Sequence, residues 1–489
     1  MKKFIFLLAI VMIAFAVLSC NNSENPPNIT ATDEAATDEP DTNSEAAVVE
    51  LIDGLGEWDF DGYEFKNISR GSGMFADYEE ETGEVLNDAI YNRNKRIEER
   101  FNITFVETVM PSSDMATSMR RSLMAHDGAY DTMVIRSPDS YPLAQEGYLR
   151  PFTDLPHLDF SKPYWDEWLT SQYSITNKIF FAAGAYDLNM FRASALLFNK
   201  LLAQNLGAED LYALVTNGKW TFDKFEEMGK LAANDLDGDG VMTIADQFGY
   251  VGGLKVILPA FWIAGGVKTI EKDKDDIPYL SALEPEFINV WFKMADVLLH
   301  SGVWCDKLPD LTGMNVGDPA TVQMFSDGRS LFYAGEVGHA RNLREMEIDF
   351  GIIPYPKLDE NQDKYYSQLP WAELLSIPIY AADNDVERTS VIIEALACDS
   401  YKTVTPVYYE IVLKTKFSRD EESEAMVDLI FANRIFDWGD TTWCPLLRDG
   451  IFINIFHTKS DTIVSAVEAK QANIQATIDK MVEAFLALD

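Results

Sequence analysis

Tyr63-Glu64-Phe65-Lys66-Asn67-Ile68 alternates apolar and polar side chains as a strand does. Leu86, Ile90, Ile97 and Phe101 then recur at near-helical spacing, and Ile103-Thr104-Phe105-Val106 follows as a second strand. Strand, helix, strand is the unit of a layered α/β fold, and it recurs outward from here. Tyr130 to Ile135 is a short apolar run bounded by Arg136-Ser137-Pro138-Asp139, with a helix expected over Leu143 to Tyr148. A second α/β set runs between Leu188 and Ile353, with Thr221 placed to cap a helix that starts at Phe222. In the tail, Ile463, Val467, Ile474, Ile478, Met481 and Phe485 mark one apolar helix face that packs onto the body. No tandem repeat is present.

The chain opens differently. Lys2 and Lys3 precede an apolar run from Phe4 to Leu18, and Val17-Leu18-Ser19-Cys20 closes it. A basic start, a short apolar stretch and a small residue before cysteine form an export signal of the bacterial lipoprotein kind, residues 1–20. The run falls short of the ~20 residues of a permanent membrane helix. Cleavage before Cys20 leaves a thiol for lipid attachment, whose acyl chains hold a domain to the membrane face. Residues 21–58 read as a disordered acidic tether, rich in Asn, Pro, Thr, Asp and Glu, with the folded region starting near Gly62.

Of 489 residues, 47% are hydrophobic, enough for a large core and more than one domain. The 40 basic and 79 acidic residues give a formal net charge of −39, which excludes a nucleic-acid partner and disfavours anionic headgroups. With Cys20 assigned to lipid, Cys305, Cys398 and Cys444 lie far apart and form no CxxC pair, so they are expected as buried, inert thiols.

The sharpest local motif runs from Asp235 to Asp246. Asp235, Asp237 and Asp239 stand at loop positions one, three and five, Gly240 at six, Val241 offers its carbonyl at seven, Thr243 stands at nine and Asp246 at twelve. That is the spacing of a calcium loop, and a structural Ca2+ is expected. Aspartate at position twelve is a shorter arm than glutamate, so binding should be weak, roughly 10⁻⁴ to 10⁻³ M. Gly71-Ser72-Gly73-Met74-Phe75-Ala76 fits a dinucleotide fingerprint but reads better as a plain strand-to-helix loop. The five histidines form no HExxH pair and no GxSxG elbow exists, so zinc and standard serine hydrolysis lose support. A carboxylate pair for glycoside hydrolysis stays open. Trp165, Trp168, Trp262, Trp371, Trp438 and Trp443, with Tyr141 and Tyr186, fall at loops or element ends and offer flat faces for stacking on sugar rings, though most should serve the core.

Several segments occur in a recognisable order. They begin with Leu86-Asn87-Asp88-Ala89-Ile90-Tyr91-Asn92-Arg93-Asn94, Tyr130-Asp131-Thr132-Met133-Val134 and Glu146-Gly147-Tyr148-Leu149-Arg150-Pro151. Ser161-Lys162-Pro163-Tyr164-Trp165, Leu197-Phe198-Asn199-Lys200 and Trp220-Thr221-Phe222-Asp223 come next. Phe325-Ser326-Asp327-Gly328-Arg329 and Asp349-Phe350-Gly351-Ile352-Ile353-Pro354-Tyr355-Pro356 complete the set. Together they resemble the extracellular solute-binding lipoproteins of ABC importers, in the sugar-binding group that includes maltose-binding protein.

The resemblance implies an α/β, two-lobed periplasmic-binding-protein-like fold of class II, with lobes joined by hinge strands and ligand held in the cleft between them. It divides the chain into a first lobe of 59–186 plus 366–435 and a second of 187–365 plus 436–489. Crossings fall near Ala183 to Asn189, Tyr365 to Pro370 and Phe436 to Thr442. It also implies ligand contacts at Arg70, Arg136, Asp139, Tyr186, Asp187, Trp262, Glu336, Trp371 and Trp443. Glu336-Val337 stands where maltose-binding protein has an aromatic, so stacking on maltodextrin does not carry over.

The implied function is a monomeric binding protein, lipid-anchored outside the cell, that delivers an oligosaccharide to ABC permease subunits and has no catalysis of its own. Related proteins also bind other small solutes or peptides. The alternatives are a surface carbohydrate-active hydrolase or lyase, and a ligand sensor for a membrane receptor.

Overall fold

The computed structural model describes residues 52–70, 80–343, 346, 349–370, 373–379, 383–414 and 421–488. Cys20, the Gly71 to Ala76 loop and Trp371 lie outside them.

The first strands form where the alternation predicts. They are β1 (Tyr63–Ser69), β2 (Ile103–Val109), β3 (Thr132–Arg136) and β4 (Leu149–Arg150). β1 pairs in parallel with β2 on one side and β3 on the other, with Phe65 opposite Phe105. The helix Val85–Phe101 makes the crossover and ends where Asn102 takes the left-handed conformation at φ 51°. Burial on both faces explains why β3 reads as a continuous apolar run.

The chain then builds β5 (Ser194–Asn199), β6 (Phe248–Val251), the hairpin β7 (Ile270–Lys272) and β8 (Pro278–Leu280), β9 (Ser330–Glu336) and β10 (Phe350–Ile353). A second sheet forms in the order β10-β5-β9-β6. Next come β11 (Ser367–Gln368), β12 (Glu373–Pro378) and β13 (Arg434–Ile435). β12 returns to the first sheet and inserts antiparallel between β3 and β4, giving the order β2-β1-β3-β12-β4. β11, inside the expected second crossing, pairs with β13, which ends just before the expected third. The result is a two-lobed α/β fold with one principal sheet in each lobe.

The sequence-level details fare unevenly. Thr221 caps the helix Phe222–Ala232, accepting from the Lys224 amide, as expected. The helix expected over Leu143 to Tyr148 instead spans Ser137–Gln145. Pro138 sits in its opening turn, where a missing N–H costs nothing, and Gly147 at φ 76° turns the chain out. Residues 53–58, expected as part of the tether, pack on the body instead. Asp53 pairs with Arg100, Trp58 meets His157 edge-on at 5.2 Å, and Phe60 packs on Phe101. Those rings supply the apolar area that the acidic stretch before them lacks.

The segment assigned to the first lobe does not stay together either. The helix Glu421–Ala432 packs on β10, and Ser423 bonds Tyr212 at 2.9 Å. The tail helix Ile463–Ala487 buries its six expected apolar residues against the body. Cys305, Cys398 and Cys444 are buried free thiols, and burial pushes Cys305 up to about 11. No helix among the described residues is long and apolar enough to cross a membrane.

Candidate functional site

A cavity of about 500 Å3 lies among the ends of the principal strands. Arg70 follows β1 and Arg136 ends β3, so the first sheet delivers two guanidiniums from the carboxyl ends of parallel strands. The second sheet delivers Ser194 at the start of β5 and Glu336 at the end of β9, which register directly opposite each other. Arg192 closes the short turn Asn189–Arg192 ahead of β5, and His339 lies in the turn after β9. Lys255 and Val256 come from the opening turn of the helix Leu254–Ala264, while Gln368 belongs to β11. Asn315, Val316 and Pro370 complete the wall.

Beneath this wall the buried Glu373 carboxylate holds two of the arginines. Its Oε1 accepts from Arg70 at 3.1 Å and from Arg192 at 3.3 Å, while Oε2 is buried without a partner among the described residues. Arg136 is held by Asp139 through Nη2 at 2.7 Å and Nε at 3.1 Å, both to one oxygen. Ser194 donates to Gln368 at 2.9 Å, and Gln368 in turn donates to Asp440. Asp440 pairs with Arg448, so a polar chain runs from the cavity to the third crossing.

Burial, opposed by the charge of Arg192, pushes Glu336 up to about 7. Burial also pulls His339 down to about 4, leaving it neutral beside Tyr333, whose hydroxyl lies 3.1 Å from its Nδ1. The raised carboxylate carries a stability prediction. A group that binds its proton more tightly folded than unfolded loses folding stability as pH rises from its unfolded value of 4.5 to about 7. Glu336→Gln is therefore expected to be the more stable protein at pH 8, by roughly 2 kcal/mol after discounting for water in the cleft. The two proteins should converge near pH 4.5. Denaturant titrations of both across pH check this, and equal stability at pH 8 would refute it. Asp187 and Asp440 titrate nearby, at about 7 and about 6, but are common to both proteins and cancel in the comparison.

Of the residues implicated by resemblance, the cavity brings together Arg70, Arg136 and Glu336, with Asp139 behind Arg136. Tyr186 is buried and donates to the Ala182 carbonyl. Asp187 sits at the first crossing, accepting from the Asn189 amide at 2.9 Å. Trp262 is fully buried and donates to Asp437 at 3.0 Å, and Trp443 packs on Trp438 at 5.3 Å. These four do not line the cavity. Trp165, Trp438 and Tyr141 are core residues too, and of the aromatics singled out Trp168 alone is exposed among the described residues.

Arg192, Lys255, His339 and Gln368 escaped notice. The available signals were a lone lysine opening the apolar helix Leu254–Ala264 and a lone arginine between Phe191 and Ala193 just ahead of a strand.

The metal motif forms in part. One carboxylate oxygen each from Asp235, Asp237 and Asp239 falls within 4.8 Å of the others. Asp246 is not in that cluster; its two oxygens accept from Leu236 at 2.9 Å and from the Thr243 amide at 2.7 Å. Val241 is exposed, and the amide hydrogens of Gly240 and Gly238 hold the Asp235 carboxyl below its usual range.

Residues 93–399 match a family model described as bacterial extracellular solute-binding protein. Among solved structures, the fold is similar to an ABC substrate-binding protein from Listeria monocytogenes in complex with cycloalternan. That match has 12% identity and a TM-score of 0.56, over 86% of this chain and 100% of the other. UgpB from Mycobacterium tuberculosis, in complex with glycerophosphocholine, matches at 14% identity and TM-score 0.57, over 86% and 99%. Maltose-bound MalE3 from T. maritima matches at 13% and 0.52, over 88% and 100%. No curated protein sequence matches the chain significantly.

Proposed function

Because the chain belongs to the bacterial extracellular solute-binding protein family, we propose that it captures an oligosaccharide between its lobes and presents it to the permease of an ABC importer. The observation that carries this reading is the cavity, whose wall draws polar side chains from both principal sheets and from the β11 crossing strand. A ligand bonded to both sheets favours the closed arrangement by its extra contacts there, and closure gives a permease a shape to recognise. Maltose in MalE3 and cycloalternan in the Listeria protein support a saccharide as the class of solute. In this reading Cys20 carries the lipid that keeps the monomeric protein at the outer face of the membrane, and the protein performs no catalysis. Ca2+ at Asp235, Asp237 and Asp239, with the Val241 carbonyl and Thr243, serves as a structural clip.

The test is thermal unfolding of the chain from Asn21 onward against a panel of neutral and acidic oligosaccharides, with calcium and with chelator. A ligand confined to the folded state stabilises it by about 4 kcal/mol at a thousandfold excess over Kd. One saccharide class is expected to raise the midpoint and be recovered unchanged. Consumption of the sugar would replace this reading with an enzymatic one, and a panel without effect would remove the saccharide. A midpoint that chelator does not lower would remove the calcium clip.

A further inference from the structure

The charge of the cleft runs against that of the protein. The chain carries a formal net charge of −39, yet Arg70, Arg136, Arg192 and Lys255 converge on one cavity whose wall, among the described residues, holds one carboxylate, Glu336. Among the described residues no Trp, Tyr or Phe lines it. A neutral sugar gains most from a flat aromatic face with hydroxyl acceptors around it, and this wall offers cations instead. Resting on the oligosaccharide reading above, we propose that the ligand is an acidic saccharide, its anion a carboxylate or a sulfate ester, bound by this arginine and lysine cluster.

Among the described residues, cations outnumber acids in this cluster. Arg70 and Arg192 share one oxygen of Glu373, and Arg136 takes one oxygen of Asp139. Lys255 makes no hydrogen bond or ion pair among the described residues. Glu336, at the end of the strand paired with β5, lies near Arg192, and its raised proton affinity weakens its share of the neutralisation at neutral pH. A planar guanidinium offers five donors in a fork that matches a carboxylate or sulfate edge, so one bond to Glu373 leaves Arg70 with donors to spare. Lys255 adds a point charge from the first turn of its helix, where the backbone dipole also favours an anion. Asn315, and the spare lone pairs and second amide hydrogen of the bonded Ser194–Gln368 pair, offer partners for hydroxyl groups, which is why a sugar acid fits better than a bare inorganic anion.

Isothermal titration calorimetry of the chain from Asn21 tests this with matched pairs. These are digalacturonate against neutral galactobiose, and a sulfated disaccharide against its desulfated form. At least one acidic member is expected to bind about tenfold or more tighter than its neutral partner. Its affinity should fall several-fold between about 50 and about 300 mM salt. Lys255→Met should cost that ligand about tenfold, with Lys255→Arg restoring most of it and circular dichroism unchanged in both. Binding of a neutral partner with no preference for the acid would overturn the proposal and leave the importer reading standing. So would a Lys255→Met protein that binds the acid undiminished. If neither member of any pair binds, the saccharide reading falls and this proposal falls with it.

Discussion

Replacing Arg448 by methionine is expected to cost about 3–5 kcal/mol of folding stability. Arg448 and Asp440 are 0% and 1% exposed, and Arg448 Nη1 lies 2.9 Å from Asp440 Oδ1 and 3.2 Å from the Asp440 carbonyl. Removing the cation leaves a buried carboxylate with Gln368 as its remaining side-chain donor, and burial already pushes that carboxyl up to about 6 against the arginine's charge. The pair as a whole is a different matter, since attraction in a buried site mostly offsets the loss of hydration. The double variant Arg448→Met with Asp440→Leu should therefore recover part of the loss, the remainder lying with Asp449, which also pairs with Arg448 at 2.7 Å, and with the Gln368 amide that Asp440 accepts from. Denaturant midpoints of the two variants decide it. A single variant within about 1 kcal/mol of the parent would mean that the pair is solvated.

The second large effect is expected at Asp437, 1% exposed in the third crossing. Its carboxylate accepts from Trp262 Nε1 at 3.0 Å, from the Thr269 amide at 3.0 Å, from Thr269 Oγ1 at 2.8 Å and from the Gly439 amide at 3.1 Å. Asp437→Ala leaves these buried donors without an acceptor, at about 1–3 kcal/mol each before relaxation. A loss of about 4 kcal/mol or more is expected, with Asp437→Asn intermediate because one acceptor oxygen survives. Thermal unfolding followed by tryptophan fluorescence measures this. A melting point unmoved by Asp437→Ala would show that the carboxylate does not organise the crossing.

The fold was legible because its signal is periodic. Alternation in β1, the heptad-like spacing of Leu86, Ile90, Ile97 and Phe101, and the apolar run at β3 each reflect burial that repeats along one element. The cavity was legible only where resemblance pointed to strand ends, as at Arg70, Arg136 and Glu336. Most of the tryptophans serve the core as expected, and Trp262 and Trp443, which the resemblance placed at the ligand, lie away from the cavity for a physical reason. Trp262 satisfies its indole N–H on Asp437 inside the core, and nothing local in a sequence tells an inward loop aromatic from one that faces a ligand. Lys255 and Gln368 lie far from Arg70 in sequence and meet it only when the two sheets have formed.

β12 carries a consequence for how the molecule comes into being. The second sheet draws all its strands from the continuous stretch 194–353, whereas the first cannot be completed until Glu373–Pro378 arrives to fill the gap between β3 and β4. Loop closure over such a separation is slow relative to local pairing. A ribosome releasing the chain from its amino end would make the last-finished sheet out of the first-made strands. Until then β3 presents an unpaired apolar edge, a risk of mispairing that favours completion of the whole chain before the first lobe sets.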